Sequence, residues 1–163
     1  MVKATKASKL QIILAKYISY YGLAILSSAF CTFLSVVIFD VPFRGSLIIY
    51  FITSSLFIFV SIGMGLIIST LAKNQFLASV AAAMFGFLPA VVLSGGLFER
   101  SSMPSAIKSL THIIPATHFI PIIKNLFMAG NIWSIIIRES LFLTAYGLLM
   151  FIILYHITKE RLE

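Results

Sequence analysis

A serine and a histidine are the side chains of this sequence that could carry out catalysis together. Ser94 stands in the string Val92-Leu-Ser-Gly95, and His118 follows in a segment flanked by prolines. An intramembrane serine protease needs a serine nucleophile and a histidine base within hydrogen-bond reach. The glycine that precedes the nucleophile by two residues in such proteases is absent, because Val92 occupies that position. Ser94-Gly95-Gly96 is therefore more typical of a place where a membrane helix is loosened or packs closely on another backbone.

Nucleotide, metal and disulfide chemistry are not expected of this chain. The sequence has no G-x-x-x-x-G-K-[ST] string, and Gly95-Gly96 is not followed by a lysine. Cys31 is the single cysteine and lies inside an apolar run, which is typical of a small packing residue. We therefore expect no cofactor and no enzymatic activity, and we expect any ATP hydrolysis to take place on a partner chain.

Charged residues at the edges of apolar stretches form another candidate site. Glu99 and Arg100 follow one such stretch, and Arg138 and Glu139 precede another. Charges near membrane depth are costly, so they need partners or an aqueous interface. The two pairs either anchor their helices at the interface or exchange partners with each other. Lys16, at the start of the first apolar stretch, is most simply a snorkelling anchor.

The composition excludes an ordinary soluble domain. The 163 residues are 60% hydrophobic and 10% charged, with a mean hydropathy of +1.07, whereas about 25% of the residues of an average globular chain are charged. Four stretches contain no Asp, Glu, Lys or Arg: 17–39, 45–72, 74–98 and 140–158. Each can cross a membrane, because about 20 helical residues span the roughly 30 Å of hydrocarbon.

These stretches predict an all-α, polytopic membrane protein with four transmembrane helices and a proline-broken helical hairpin before the last one. The predicted spans are 17–39, 46–71, 76–97 and 140–157, within a transmembrane domain of residues 17–157. Residues 1–16 mix four lysines with apolar residues, which is typical of a helix at the cytoplasmic headgroups. No small-residue cleavage site follows, so the first span is expected to stay as an anchor. Residues 158–163 form a cytoplasmic tail.

Small residues recur at every fourth position on the second and third spans. They are Ser61, Gly65 and Ser69 on the second span, and Ala78, Ala82 and Gly86 on the third. Four-residue spacing places such residues on one helix face, where another backbone can approach closely. The stripes predict that these helices pack on each other or on a partner subunit. Alternatively, they reflect the general tolerance of membrane helices for small residues.

The segment before the last span is too polar and too rich in proline to be one straight span. Its hairpin, residues 103–130, is predicted to lie at the membrane surface or to re-enter the membrane. Non-helical backbone at that depth needs protein or a cavity around it, so we expect the hairpin to be the functional element and the gate. Its candidate residues, with those at its preceding joint, are Ser94, Gly95, Gly96, Met103, Pro104, Pro115, His118, Pro121 and Gly130. Gly130 is expected to end the second helical piece.

The basic residues predict the orientation in the membrane. With four spans, seven Lys and Arg lie on the side of the N-terminus: Lys3, Lys6, Lys9, Lys16, Lys73, Lys159 and Arg161. Five lie on the other side: Arg44, Arg100, Lys108, Lys124 and Arg138. This asymmetry favours both termini in the cytoplasm. Despite the net charge of +7, the basic residues stand at the ends of apolar runs rather than in a patch, which indicates contact with lipid headgroups and no nucleic-acid partner.

Five strings taken together resemble the permeases, or membrane subunits, of type-2 ABC exporters, particularly the bacterial multidrug-like branch. They are Val41-Pro-Phe-Arg-Gly-Ser46, Gly65-Leu-Ile-Ile-Ser-Thr-Leu-Ala72, Leu93-Ser-Gly-Gly-Leu-Phe98 with Ser102-Met-Pro104, Pro115-Ala-Thr-His-Phe119, and Met128-Ala-Gly130. Single strings of this kind are weak signals. Five of them in the family's order and spacing over almost the whole chain are specific.

The resemblance also implies how the chain relates to such a permease. Residues 5–16 resemble the far end of the family's cytoplasmic coupling segment, with Thr5-Lys6 where Thr-Pro is usual and Ala15-Lys16 where Gly-Lys is usual. A family permease has an N-terminal helix, a large extracytoplasmic insert and a second helix before the matched region. The chain is therefore expected to correspond to the C-terminal four spans of a six-span permease, as a split-gene product or a remnant.

The function implied by the resemblance is that of a permease component, or C-terminal fragment, of an ABC-type exporter in the bacterial inner membrane. The implied partners are an ABC ATPase, membrane lipid, and either a second permease chain or the missing N-terminal part. The alternative is a truncated, non-transporting membrane protein that packs with another permease. A drug, a lipid-linked molecule and a polysaccharide all stay open as the substrate.

Overall fold

The computed structural model of the protein describes residues 9–72, 74–87 and 114–160. Of these residues, 88% are helical and none lies in a strand. The predicted all-α fold is therefore confirmed for the described part of the chain. The end of the predicted third span and the first half of the predicted hairpin lie outside the described residues.

The first two long helices are α1 (Lys9–Val37) and α2 (Leu47–Leu71). α1 runs without a break from the lysine-bearing segment into the predicted first span. Residues 9–16 are therefore helical and continuous with the first predicted span. In the turn between the helices, Asp40 has a φ of 48°, and Asp enters this left-handed region more readily than most residues. The chain can therefore reverse here within a few residues.

The third helix, α3 (Gln75–Ala82), begins at the predicted third span. Asn74 caps it, because its side-chain oxygen accepts a hydrogen bond from the backbone N–H of Leu77 at 2.8 Å. α3 continues into a π-helical turn, Ala83–Phe87, where the described segment ends. The remainder of the predicted span, up to residue 97, lies outside the described residues.

The described half of the predicted hairpin is the helix α4 (Pro115–Lys124), followed by a π-helical turn, Asn125–Ala129. Gly130 ends this piece with a φ of 95°, as the sequence predicts. Pro115 occupies the first turn, where proline is favoured. α4 also runs through Pro121, so the predicted interruption of the hairpin by its prolines does not occur at this position. Proline is tolerated inside membrane helices whose neighbours support them, and α4 packs along two neighbours.

The last helix, α5 (Trp133–Glu160), begins seven residues before the predicted start at Ser140. Arg138 and Glu139, which were expected to precede the span, lie inside its second turn. Within the described ranges, three helices are long and apolar enough to cross a membrane: Leu10–Val37, Leu47–Leu71 and Trp133–Thr158. They correspond to the first, second and fourth predicted spans. The four-span count and the re-entrant position of the hairpin stay predictions.

α2 lies at the centre of the bundle and contacts α1, α4 and, most extensively, α5. Two apolar clusters hold the helices together. The buried members of the first are Tyr50, Val60, Ile122, Leu126, Ile136 and Leu143. The buried members of the second are Ile13, Tyr17, Leu66 and Leu154. The first cluster joins α4 to α2 and α5, and the second joins α1 to the later halves of α2 and α5.

Candidate functional site

The candidate site is the surface of α2 and α5 on which α4 packs. We call this surface the seat of α4. Ile122 on α4 and Leu126 in the π-helical turn are fully buried. They pack with Tyr50 of α2 and with Ile136 and Leu143 of α5. Lipid tails are as apolar as these side chains, so close packing rather than transfer out of water stabilises the contact. α4 is thus held by the fit of its side chains.

A histidine and a glutamate connect α4 to α5. Nδ1 of His118 lies 2.6 Å from Oε2 of Glu139, and the two side chains are only 11% and 15% exposed. The imidazole also stacks on the ring of Phe142, with centroids 5.0 Å apart and an interplanar angle of 18°. A carboxylate among apolar helices needs a partner, and His118 supplies one. The contact fixes the orientation of the imidazole ring when the ring proton lies on Nδ1.

Stacked aromatic rings connect α4 to α2 on its other side. The rings of Phe119 and Phe57 are parallel within 1°, with centroids 4.3 Å apart. Phe119 directly follows His118, so consecutive residues of α4 contact the two neighbouring helices. α4 therefore bridges α2 and α5.

The π-helical turn and the residues just after it are hydrogen-bonded to the loop between α1 and α2. The carbonyl of Leu126 accepts hydrogen bonds from the backbone N–H of Arg44 at 3.2 Å and of Gly45 at 2.7 Å. The side-chain oxygen of Asn131 accepts from the backbone N–H of Ser46 at 2.9 Å. A Cβ added at Gly45 would stand 2.6 Å from Cδ2 of Leu126 and 3.0 Å from its Cα. Only glycine allows the two segments to approach this closely.

A buried tyrosine connects the same region to α1. The Tyr50 hydroxyl lies 2.6 Å from Oγ1 of Thr32, which donates to it, and 2.9 Å from Oγ of Ser28. Tyr50 also belongs to the apolar cluster under α4. One side chain therefore contacts the first span with its hydroxyl and the seat of α4 with its ring.

Some buried polar atoms on these helices have no hydrogen-bond partner within the part of the chain that the structure describes. They include Oγ of Ser54 on α2, Nδ2 of Asn125 in the π-helical turn and Oγ of Ser140 on α5. Each lies three or four residues from a member of the apolar cluster on its own helix, and so on the same face. A buried polar group without a partner costs about 1–3 kcal/mol. These three groups are poised to accept a partner.

The predicted small-residue stripe on α2 faces outward. Ser61, Gly65 and Ser69 are exposed, and among the described residues no atom lies within 4 Å of a Cβ added at Gly65. On α3 and its π-helical turn, Ala82 is exposed, Ala78 is half-buried and Gly86 has equally open surroundings. Packing of these stripes on another chain stays a prediction.

Two other glycines make the close helix contacts within the described residues. A Cβ added at Gly63 of α2 would stand 2.6 Å from the hydroxyl of Tyr17 and 3.2 Å from Cβ of Met150. A Cβ added at Gly147 of α5 would stand 3.0 Å from Cδ1 of Phe59. These glycines let α2 approach α1 and α5. Close contacts were not predicted at Gly63 or Gly147, because neither glycine belongs to a four-residue repeat of small residues.

The other candidate residues fall into two groups. Pro115, His118, Pro121 and Gly130 all belong to the described half of the hairpin. Ser94, Gly95, Gly96, Met103 and Pro104 lie outside the described residues, as do Glu99 and Arg100. The pairing of Ser94 with His118 and the exchange between the two charge pairs therefore stay untested. Within the described ranges, His, Cys, Asp and Glu form no group of three that could hold a metal ion.

His118 and Glu139 were each predicted as candidate residues, but the contact between them was not predicted. A signal was present, because a carboxylate next to an apolar run needs a partner and the histidine precedes it by 21 residues. The role of Gly45 was also missed, although an Arg-Gly-Ser turn between two spans could have suggested a close approach. No pattern in the sequence indicates the hydroxyl contact between Tyr50 and Thr32.

Comparison with known proteins identifies the family. The family described as "ABC-2 family transporter protein" matches residues 1–156. The chain belongs to this family. The predicted resemblance to ABC permeases is therefore confirmed. No solved structure matches this ABC-2 family chain.

Bacterial permeases are among the relatives of this ABC-2 chain. It is 42% identical over 160 residues to the "Probable multidrug ABC transporter permease YbhS" of Escherichia coli (strain K12), a match covering 98% of this chain and 42% of that protein. It is 27% identical over 110 residues to the "Inner membrane transport permease YhhJ" of the same strain, covering 68% of this chain and 29% of that protein. The chain thus spans less than half the length of these relatives.

Proposed function

We propose that this chain is the membrane-spanning permease component of an ABC-type exporter. Its spans line part of a translocation path, and a separate ATPase supplies the energy. The observation that carries the proposal is family membership over residues 1–156. The permease names of the Escherichia coli relatives support it. The chain is then not an enzyme itself, since ATP hydrolysis takes place on its partner.

In this proposal both termini lie in the bacterial cytoplasm, and α4 lies at the outer end of the path. The excess of Lys and Arg on the side of the termini supports this orientation. Reporter fusions after Ala72 and after Glu163 should then read cytoplasmic, and a fusion after Ser101 should read outside. An outside reading at Glu163 would contradict the orientation and require an odd number of crossings.

The outer hairpin, of which residues 114–130 are described, acts as the gate. α4 bridges α2 and α5, so moving it would open the space between them. Besides the packing of Ile122 and Leu126, two directional contacts hold it: the His118–Glu139 pair and the hydrogen bonds to the carbonyl of Leu126. Directional contacts of this kind can be exchanged for others when a packed element moves to a second arrangement.

The buried polar atoms that find no partner among the described residues are consistent with a gate that has a second arrangement. Ser54, Asn125 and Ser140 lie on the three elements that meet at α4. Any partner that they gain when α4 moves, whether water, substrate or protein, would offset the cost of that movement. Ser94, Gly95, Gly96, Met103 and Pro104 complete the proposed gate on the preceding half of the hairpin.

The outward-facing stripe of Ser61, Gly65 and Ser69 is the proposed contact with the rest of the permease. The partner is a second permease chain or the N-terminal part of a six-span permease. The stripe can contact such a partner because its exposed small residues leave room for a second backbone. The stripe on α3, with Ala78, Ala82 and Gly86, is proposed to serve the same assembly.

Purification of tagged full chain from its own membranes tests the assembly. Mild detergent should recover an ABC ATPase and a second permease chain together with the tagged chain. Recovery of neither partner, from membranes in which the chain is monodisperse, would contradict active transport. That result would favour a non-transporting membrane protein.

Thiol labelling tests the gate within a proven transporting assembly. Cys31 is replaced by serine, and single cysteines are placed at Phe119 and Ile123, which are half-buried on α4. Labelling by a polar reagent should change when the ATPase is trapped with ATP. A cysteine at Met64, packed against the same cluster from α2, is the control and should change less. Identical labelling of α4 in both nucleotide states would identify it as a static cap.

A further inference from the structure

A cleft of about 290 Å³ opens between α1, α2 and α5 at the end of the bundle opposite to α4. Its polar lining consists of Lys16, Ser69, Thr70 and Thr158. Its apolar lining includes Ile13, Leu66 and Leu154, which belong to the second apolar cluster. The cleft thus has a charged or hydroxyl-bearing part beside an apolar part.

The cleft lies at a depth where lipid headgroups meet hydrocarbon. From Lys16 to Val37, α1 rises about 30 Å at roughly 1.5 Å per residue, which matches the thickness of a hydrocarbon core. Lys16 therefore stands at one boundary of the core when the end of α1 stands at the other. Thr70 and Thr158 lie within two residues of the ends of the spans of α2 and α5.

Among the described residues, the polar groups of the cleft offer one positive charge and a set of acceptors. Lys16, which carries the charge, is exposed. Oγ1 of Thr70 donates to the carbonyl of Leu66 at 2.7 Å, and Oγ1 of Thr158 donates to the carbonyl of Leu154 at 2.8 Å. Since both hydroxyl protons are used within their own helices, the two oxygens can only accept further hydrogen bonds. The C-terminal ends of α2 and α5 add partial negative charge.

We infer that this cleft binds the headgroup of a phosphoethanolamine phospholipid. Lys16 contacts the phosphate, and the primary ammonium of the headgroup donates to Thr70 and Thr158. A glycerol headgroup lacks the cation that these acceptors favour. A choline headgroup carries its charge without any N–H donor. The apolar wall, with Leu66 and Leu154, receives the first methylenes of the acyl chain.

This inference requires only that the chain lies in a bilayer, so it stands or falls separately from transport. The full chain is delipidated in detergent and titrated with phosphatidylethanolamine, phosphatidylcholine or phosphatidylglycerol, and bound lipid is counted by native mass spectrometry. Phosphatidylethanolamine should bind about tenfold more tightly than phosphatidylcholine, a difference of about 1.4 kcal/mol, because only its primary ammonium donates hydrogen bonds to the threonine oxygens.

Two variants test the contacts of the headgroup ammonium and of the headgroup phosphate separately. Thr70→Val together with Thr158→Val should remove the preference for phosphatidylethanolamine and leave phosphatidylglycerol binding unchanged. Lys16→Gln should weaken both lipids, because both carry the phosphate. Thr144→Val is the control for the first variant, since its hydroxyl makes the same kind of bond, to the carbonyl of Ser140 at 2.8 Å, but is exposed on α5. Lys124→Gln is the control for the second.

Several outcomes would overturn the inference. Equal binding of phosphatidylethanolamine and phosphatidylcholine by the natural chain is one, and tighter binding of phosphatidylglycerol is another. A double threonine variant that keeps the preference, or a Thr144→Val variant that loses it equally, also contradicts the site. If Lys16→Gln abolishes recovery of an ATPase while lipid binding is unchanged, the cleft is a protein-docking surface instead.

Discussion

Gly63 and Gly65 lie two residues apart on α2, yet leucine should have opposite effects at the two positions. Gly63 faces the hydroxyl of Tyr17 and Cβ of Met150, so even an added Cβ stands 2.6 Å and 3.2 Å from these atoms. Gly65 has no atom of the described residues within 4 Å of an added Cβ. A leucine at position 63 therefore forces α1, α2 and α5 apart, whereas a leucine at position 65 displaces nothing in the part of the chain that the structure describes.

The magnitude follows from two opposing terms. Replacing glycine inside a helix gains about 1 kcal/mol of helix propensity at either position. Overpacking a closely packed contact costs about 1–3 kcal/mol and sometimes more. Since leucine adds three carbons beyond a Cβ that already fits poorly, the upper part of that range applies at position 63. Because the propensity gain is the same at both positions, it cancels in the comparison, and the Gly63→Leu chain should be less stable than the Gly65→Leu chain by about 2–3 kcal/mol.

The assay is the temperature at which the purified chain loses its monodisperse peak in one detergent. Gly63→Leu should lower this temperature, and Gly65→Leu should leave it unchanged or raise it. Association with the second permease chain should respond in the opposite order, because Gly65 belongs to the outward stripe. Equal stability of the two variants would refute the packing argument. Full association of Gly65→Leu would remove the stripe from the assembly.

Three further predictions concern the seat of α4. His118→Gln and Glu139→Gln should each lower thermal stability, and in a double-mutant cycle the pair should be coupled by about 0.5–3 kcal/mol; strictly additive effects would show that the pair does not interact. Gly45→Ala should lower stability by about 1–3 kcal/mol because of its clash with the π-helical turn, whereas Gly22→Ala, which has open surroundings, should not. Tyr50→Phe should cost about 0.5–1.5 kcal/mol, since the contact of its hydroxyl with α1 is lost; an unchanged unfolding temperature would contradict this.

The apolar runs predicted the long helices well, because a run of about 20 apolar residues has few alternatives to a membrane helix. The start of α5 was predicted less well. Residues 132–137 are mostly apolar but precede Arg138 and Glu139. The predicted span therefore began only after these two charges. The helix instead carries Glu139 inward, where His118 partners it. The contact with His118 therefore stabilises a charge inside α5, at a position that the local sequence did not predict to be helical.

The site was harder to predict than the spans, because its contacts depend on how helices face one another. Both sides of α2 are apolar, so the four-residue spacing of small residues could not show which side is covered. The packing places Gly63 inside and leaves Gly65 outside. The sequence predicted close packing at the small residues that recur every four positions. The close approaches within the described residues occur instead at isolated glycines such as Gly45 and Gly147.

The binding of the first loop to the π-helical turn also bears on the order in which the chain is made. Ser46 and Asn131 are 85 residues apart in the sequence, and Gly45 is 81 residues from Leu126. During synthesis, α1 and α2 are complete long before these partners emerge. The backbone N–H groups of the loop must meanwhile bond to water or headgroups, as unpaired polar groups do not stay in hydrocarbon. The loop is therefore expected to reach its final conformation only after α4 has been made, as a late step in membrane assembly.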